Sequence, residues 1–416
     1  MIASSARCLL LLAALGAPAV VAAAEFRVPT QVFAGEPRGP YQTGTFQELW
    51  VNTAQDDPST ADPNDKRKMM VQVWYPASPP ANAKRAPYAI NPQLYAKDHW
   101  VQKLSHVQTQ SVLNAPLVAS PRRLPILLYN HGNTQPHFSA TFQTEFLASQ
   151  GYVVVAIDHP GSSNIERFLD GTSYRNDGQK WQARPNQAGR GLNREALEYG
   201  FANSDISLFV KDMSFVLDRL TALHADPKSR FHQRLDLERV GALGWSLGGV
   251  ASLQASRDDA RIKAAADLDG WAHGIAGPKG VVTLGSERPV LLMFNPFNAG
   301  LATPPQPGGE VDAGYIEAYT SAALHFWQLL HRSTNDWYHL TIARTHHGTF
   351  SDMPLFEPAS TNDLHPRAAH AIINAYTLEF FDRYVRGVEK TPLLSGETNY
   401  PEVTLLRRSV DAAARQ

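Results

Sequence analysis

Cysteine is almost missing from this chain: Cys8 is the one cysteine in 416 residues. Past that position there can be no disulfide, no thiolate nucleophile and no thiolate metal ligand. An excess of either charge is missing too. Lys and Arg number 38 against 39 Asp and Glu, a formal net charge of −1. No basic stripe offers a grip on nucleic acid, and no acidic tail points to disorder. Internal repeats and long low-complexity runs are absent, which excludes a solenoid. What is present is a 43% share of hydrophobic residues, ample for one large core or two modest ones.

The first two dozen residues are read apart from the rest. MIASSAR carries Arg7, CLLLLAALGAPAVV is an apolar run, and Ala22-Ala23-Ala24 precedes Glu25. That order predicts a cleavable signal peptide over 1–24, and hence a secreted or periplasmic protein. The apolar run is short for a span and contains Pro18. Removing the leader removes Cys8, so the exported chain must rely on its core rather than on disulfides.

Residues 25–66 are polar and rich in turn formers, with Asp56-Asp57-Pro58 and Asp62-Pro63-Asn64 as turns. They are read as an N-terminal extension with the first strands. A catalytic domain is expected over 67–390 and a tail over 391–416. Lys68 to Tyr75 reads as a strand ended by Pro76. Asn91-Pro92 reads as the start of a helix over 92–108, with Leu94, Val101, Leu104 and Val107 on one side. That side is taken as core or lid packing, with transient membrane-surface contact as the alternative.

A rhythm then sets in. Apolar runs at Leu124–Tyr129, Tyr152–Ile157, Arg239–Trp245, Ile262–Leu268, Pro289–Phe294 and Trp337–Ala343 read as buried strands. Helices are expected over 141–150, from Ser204 through Leu220, over 315–330 and over 366–386, the last capped by Gly387. Residues 159–200 read as a long irregular loop. Buried strands alternating with helices predict an α/β fold with a mostly parallel central sheet covered on both faces. In such sheets the site lies at the carboxyl ends of the strands.

The residues that follow those strands carry the chemistry. Strand 239–245 runs into Gly244-Trp245-Ser246-Leu247-Gly248, a G-x-S-x-G motif followed by a helical stretch. That context makes Ser246 a nucleophile on a tight strand-to-helix turn, with Gly244 and Gly248 relieving clashes. A serine hydroxyl needs a base. His346 and His347 follow the last strand, and spacing does not choose between them. Asp269, at the end of strand 262–268, is the preferred acid over Glu310 and Asp312 beyond the next strand; Asp267 is expected to point the other way. The oxyanion hole is expected from the N–H groups of Leu247 and of Asn133 after strand 124–129. Gly132 lets that loop approach closely, and His131 is read as its support.

These residues resemble the plasma and type II platelet-activating-factor acetylhydrolases, with the bacterial proteins called predicted dienelactone hydrolases, in the α/β-hydrolase superfamily. The resemblance rests on Tyr129-Asn-His-Gly132, Gly244-Trp-Ser-Leu-Gly-Gly249, Leu268-Asp-Gly-Trp271 and His347-Gly-Thr-Phe350-Ser-Asp352. It spans residues 68–387, and it implies Asp269 as the acid and His347 as the base. Three departures accompany it: Trp245 stands where the family usually has histidine, 300–335 is longer, and 159–200 has no counterpart. A true dienelactone hydrolase has a cysteine nucleophile where this chain has Ser246.

The expected activity is hydrolysis of carboxylic esters with short acyl groups through an acyl-enzyme, with a small ester or lipid as partner. No metal, no organic cofactor and no nucleic acid are expected. The alternatives are a general carboxylesterase or lipase-like enzyme, a serine peptidase, and a noncatalytic binding protein on the same fold.

Overall fold

The computed structural model describes residues 27–174, 205–270, 280–296 and 327–409, save the single positions 37, 59, 61, 63, 98, 121 and 359. The expected leader, most of the 159–200 loop, Trp271, Glu310, Asp312 and most of the helix expected over 315–330 lie outside them. The end of that helix, 327–332, is helical.

The described residues build one sheet. Its strands are β1 (Gln42–Asp56), β2 (Lys66–Ala77), β3 (Arg85–Pro87), β4 (Gln108–Leu113), β5 (Leu124–Asn130), β6 (Val153–Ile157), β7 (Leu235–Trp245), β8 (Ile262–Leu268), β9 (Val290–Phe294), β10 (Trp337–Ile342) and β11 (Val403–Arg408). Their order across the sheet is β11-β10-β9-β8-β7-β5-β6-β2-β1-β4-β3. From β6 to β10 all neighbours run parallel. β2 joins β6 antiparallel, and β11 joins β10 antiparallel.

Burial explains the near-continuous apolar runs. Every residue of β5, β6 and β9 is buried, because helices cover both faces. Among the described residues the α-helices are α1 (Trp100–Lys103), α2 (Thr141–Ser149), α3 (Asp205–Ala225), α4 (Leu247–Asp258), α5 (Val281–Leu284), α6 (Pro366–Phe381) and α7 (Pro392–Ser395), besides the helical stretch 327–332. Side chains alternate across the sheet. Leu127, Tyr129, Leu243 and Met293 pack with Phe142 of α2 and Ile373 and Phe380 of α6. Ile126, Leu128, Ala242 and Leu292 pack with Phe209 and Met213 of α3 and Ala251 of α4. Among the described residues no helix is long and apolar enough to cross a membrane.

Two expectations need correction. The stretch 92–108 is not one helix. It folds as a 3-10 turn at Pro92–Leu94, one α-helical turn at α1, and the start of β4. Leu94, Val101, Leu104 and Val107 are all buried in the core, so the apolar reading holds while the period does not. Side chains replace the missing helix: Gln102 Nε2 donates to the Pro92 carbonyl at 2.6 Å, and His99 Nδ1 accepts the Val101 N–H at 3.3 Å. The segment past residue 390 supplies β11, whose six pairs with β10 complete that edge of the sheet.

Candidate active site

Ser246 occupies the single residue between β7 and α4. Its backbone has φ 56° and ψ −124°, a conformation that costs a residue with a side chain on the order of 1–3 kcal/mol. Close approach on both sides keeps it there. A Cβ on Gly248 would lie 2.1 Å from the Asn130 carbonyl oxygen, and one on Gly244 would lie 2.4 Å from the Gly248 carbonyl carbon. Strand and helix meet only because those positions carry no side chain.

The expected base and acid follow two other strands of the sheet, β10 and β8. Past β10, the chain turns into a short 3-10 helix beginning at His347. His347 Nε2 stands 3.1 Å from Ser246 Oγ, and its Nδ1 stands 2.6 Å from Asp269 Oδ2. Asp269 directly follows β8, with φ +58°, and its N–H donates to the Met293 carbonyl at 2.7 Å. Asp269 is fully buried, whereas the His347 side chain is 44% exposed. The imidazole therefore joins a dry carboxylate to an open hydroxyl. His346, the other candidate, is the N-cap of the 3-10 turn, its N–H donating to Thr349 Oγ1 at 3.0 Å.

Asn295, directly after β9, holds the carboxylate in place. Its backbone N–H donates to Asp269 Oδ1 at 2.9 Å and its side-chain Nδ2 to Oδ2 at 2.7 Å. Asp267 does not join His347: strand alternation would put residues two apart on one face, and it is the left-handed backbone of Asp269, beyond the end of β8, that parts the two carboxylates. Asp267 accepts the Gly270 N–H at 2.8 Å, and burial drives its carboxyl well above the usual carboxylate range.

The loop after β5 lies beside the elbow. A Cβ on Gly132 would stand 3.3 Å from Ser246 Cβ, so this glycine permits the approach. Leu247 opens α4 and Asn133 follows Gly132. Among the described residues neither N–H has an acceptor. His131 is fully buried, donates from Nδ1 to the Gly132 carbonyl at 2.7 Å, and accepts the His159 N–H at Nε2 at 3.0 Å. Those partners fix one neutral tautomer, and burial pushes its pKa down to about 3.

This neutral histidine contributes stability that is complete above its ordinary pKa of 6.5 and is lost as pH falls toward 3. The buried acids Asp267 and Asp352, both raised by burial, act in the opposite sense. The check is therefore made on the imidazole itself. Its nitrogen NMR signals should keep the neutral pattern down to about pH 4; protonation near 6.5 would refute the assignment.

Behind the loop lies a buried polar chain that the sequence reading did not foresee. Asn130 Nδ2 donates to Ser252 Oγ at 2.9 Å and to the Leu243 carbonyl at 3.3 Å, tying β5 to α4 and β7. Its Oδ1 lies 3.0 Å from His159 Nε2, and His159 Nδ1 lies 2.9 Å from Asp212 Oδ2. Arg67, fully buried, grips Asp212 with two N–H groups at 2.7 and 3.1 Å. His159 and Asn295 both follow a strand within two residues, so the strand-end rule could have flagged them.

Asp352, the last residue of the His347–Asp352 motif, is a distant cap. It accepts the N–H groups of Thr141 at 2.7 Å and Phe142 at 2.9 Å, and the Tyr88 hydroxyl at 3.0 Å. Ala140 gives α2 no side-chain cap, so Asp352 fastens the histidine loop to α2. Burial pushes its carboxyl up to about 8. Among the described residues no cluster of His, Asp and Glu could hold a metal ion.

Comparison with known proteins follows the same lines. The family model described as PET hydrolase-like matches residues 209–278, which include the elbow and Asp269. A probable 1-alkyl-2-acetylglycerophosphocholine esterase of Arthroderma benhamiae is 24% identical over 419 residues, covering 91% of this chain and 95% of that protein. Platelet-activating factor acetylhydrolase of Bos taurus is 21% identical, covering 59% of this chain and 55% of that protein. Its counterpart of Canis lupus familiaris is 22% identical, covering 55% and 50%. The chain thus spans about half the length of the two mammalian proteins. The solved structure of a ferulic acid esterase from Streptomyces cinnamoneus matches with a TM-score of 0.66 at 24% identity, over 91% of this chain and all of that one. The fold is the α/β-hydrolase fold, and the likeness to the platelet-activating-factor acetylhydrolases read from the four motifs is borne out.

Proposed function

We propose that this α/β-hydrolase, a relative of the platelet-activating-factor acetylhydrolases, is an exported serine esterase that cleaves carboxylic esters with short acyl groups. One observation carries the reading: Ser246 Oγ, His347 and Asp269 form an unbroken hydrogen-bonded line at 3.1 and 2.6 Å. Export is supported by the leader pattern of residues 1–24. The short acyl preference is supported by the acetyl esters named for the relatives.

The chemistry follows from the geometry. His347 Nε2 takes the proton as Ser246 Oγ attacks the ester carbonyl carbon. The carbonyl oxygen becomes an oxyanion, met by the N–H groups of Asn133 and Leu247. Asp269 holds the Nδ1–H tautomer and stabilises the imidazolium that forms. The tetrahedral intermediate collapses, the C–O bond to the alcohol breaks, and His347 returns the proton to that oxygen. Water then repeats the sequence on the acyl-serine, releasing the acid. Losing one oxyanion donor at such a site costs about 3 kcal/mol of barrier.

The test is a panel of esters of graded acyl length, with an acetylated phospholipid and a feruloyl ester among them. Turnover falling steeply beyond the shortest acyl groups is expected. Preference for long or aromatic acyl groups would overturn the short-acyl assignment and favour a general carboxylesterase. Faster cleavage of peptide amides would favour a peptidase, and no turnover with no labelling by a fluorophosphonate would favour a binding protein.

A further inference from the structure

Trp245 precedes the nucleophile, is 4% exposed, and touches three parts of the site at once. Its indole Nε1–H donates to the main-chain carbonyl of His347 at 3.0 Å. Its ring centroid lies 5.1 Å from that of the His347 imidazole, tilted by 40°. Its Cε3 lies 3.0 Å from where a Cβ on Gly132 would be, so the indole also closes the space against the oxyanion loop. A bulky side chain at this point is therefore wedged between the loop that carries the base and the loop that precedes Asn133.

We propose that Trp245 is a positioning residue: its N–H and its ring hold the His347 loop at hydrogen-bonding distance from Ser246 and fix the gap to the oxyanion loop. The inference rests on the reading of Ser246 and His347 as nucleophile and base. Asp352 fastens the far end of the histidine loop to α2, and the end that carries the imidazole needs a tether of its own. It is a single turn of 3-10 helix, and its imidazole is open to solvent. Asp269 restrains Nδ1, but one hydrogen bond leaves the ring free to swing about that contact. The indole N–H restrains the backbone from which the ring hangs, and the indole face limits the swing. The same face is electron-rich, and it stands beside the ring that becomes positive when the proton moves from Ser246.

A cyclic contact of this kind is felt in the chemical step rather than in substrate binding, because a small misplacement of the base is costly there. Trp245→Phe keeps a ring and removes the N–H. It is expected to lower kcat about 10-fold with KM changed less than about threefold. Trp245→Leu removes ring and donor and is expected to lower kcat about 100-fold. Each variant is titrated with a fluorophosphonate run to completion, so that kcat is expressed per competent site. A residue that served folding alone would lower the number of competent sites and leave kcat per site unchanged.

A further replacement of Trp245 by benzothienylalanine keeps the shape of the indole and exchanges the N–H for sulfur. It covers the case in which a smaller side chain fails to pack, and the same loss of about 10-fold in kcat is expected. A kcat per site within about twofold of wild type, in either Trp245→Phe or the benzothienyl variant, overturns the proposal. So does a loss confined to KM. Ser246→Ala is measured alongside. If that variant keeps ester turnover, the reading of the site has failed; if it is inactive and Trp245→Phe is not impaired, only the tether has failed.

Discussion

Ser246→Ala is expected to lower kcat roughly a million-fold, with the melting temperature within a few degrees of wild type. The size follows from the order of events. Without Oγ there is no acyl-enzyme, and His347 and Asp269 have no proton to move on the protein. What remains is the free pair of donors at Asn133 and Leu247 together with substrate binding, which by themselves leave on the order of 10³ to 10⁴ over water. Folding should be spared, because the elbow is imposed by Gly244, Gly248 and the Asn130 carbonyl rather than by the hydroxyl. Alanine inherits the same φ of 56°, so the strain is unchanged. Turnover of the best ester in the panel, corrected for uncatalysed hydrolysis, is the measurement. Activity within 100-fold of wild type would sink the nucleophile assignment.

The second large effect concerns the acid. Asp269→Asn is expected to lower kcat about 10⁴-fold, while Asp267→Asn should stay within about fivefold. His347 Nδ1–H, the Asn295 N–H and Asn295 Nδ2 all converge on the Asp269 carboxylate. An asparagine offers one acceptor oxygen where the carboxylate offers two. If that oxygen faces His347 and Asn295 Nδ2, its amide N–H₂ points at the Asn295 N–H. If it turns the other way, the imidazole meets a donor and takes the wrong tautomer. Asp267 is different, since its carboxyl is buried and raised well above the usual range. Its hydrogen-bond partner is the Gly270 N–H, which an amide oxygen can still satisfy. Equal losses in both variants, or a larger loss at Asp267, would move the acid.

Much of this could be read from the sequence for a physical reason. Strands buried on both faces leave continuous apolar runs, and a turn that tolerates no Cβ leaves glycines. Leu124–Asn130, Ile262–Leu268 and the elbow are of that kind. Alternation could not separate Asp267 from Asp269, which are two apart; the left-handed backbone of Asp269 past β8 does. What escaped was whatever depends on partners distant in sequence. The 92–108 segment is apolar at helical intervals, yet its side chains enter the core from an irregular path held by Gln102 and His99. Val403–Arg408 is mostly exposed and has no buried run to announce it; only pairing with β10 makes it a strand. Arg67 looks like a surface cation in a polar stretch, and nothing local says that Asp212, 145 positions on, neutralises it in the core. The role of Asp352 escaped likewise, because the helix it caps begins 211 positions earlier.

The line from Ser246 through His347 to Asp269 joins residues 101 and 78 positions apart. Each stands at the end of a different strand. Ser246 and Asp269 flank one β7–α4–β8 unit, but His347 follows β10, 78 positions beyond Asp269, so no single hairpin or βαβ unit holds all three. On the proposed reading, bond cleavage belongs to the assembled sheet: it needs β7, β8 and β10 docked together, and turnover is expected to stop when any one of them leaves.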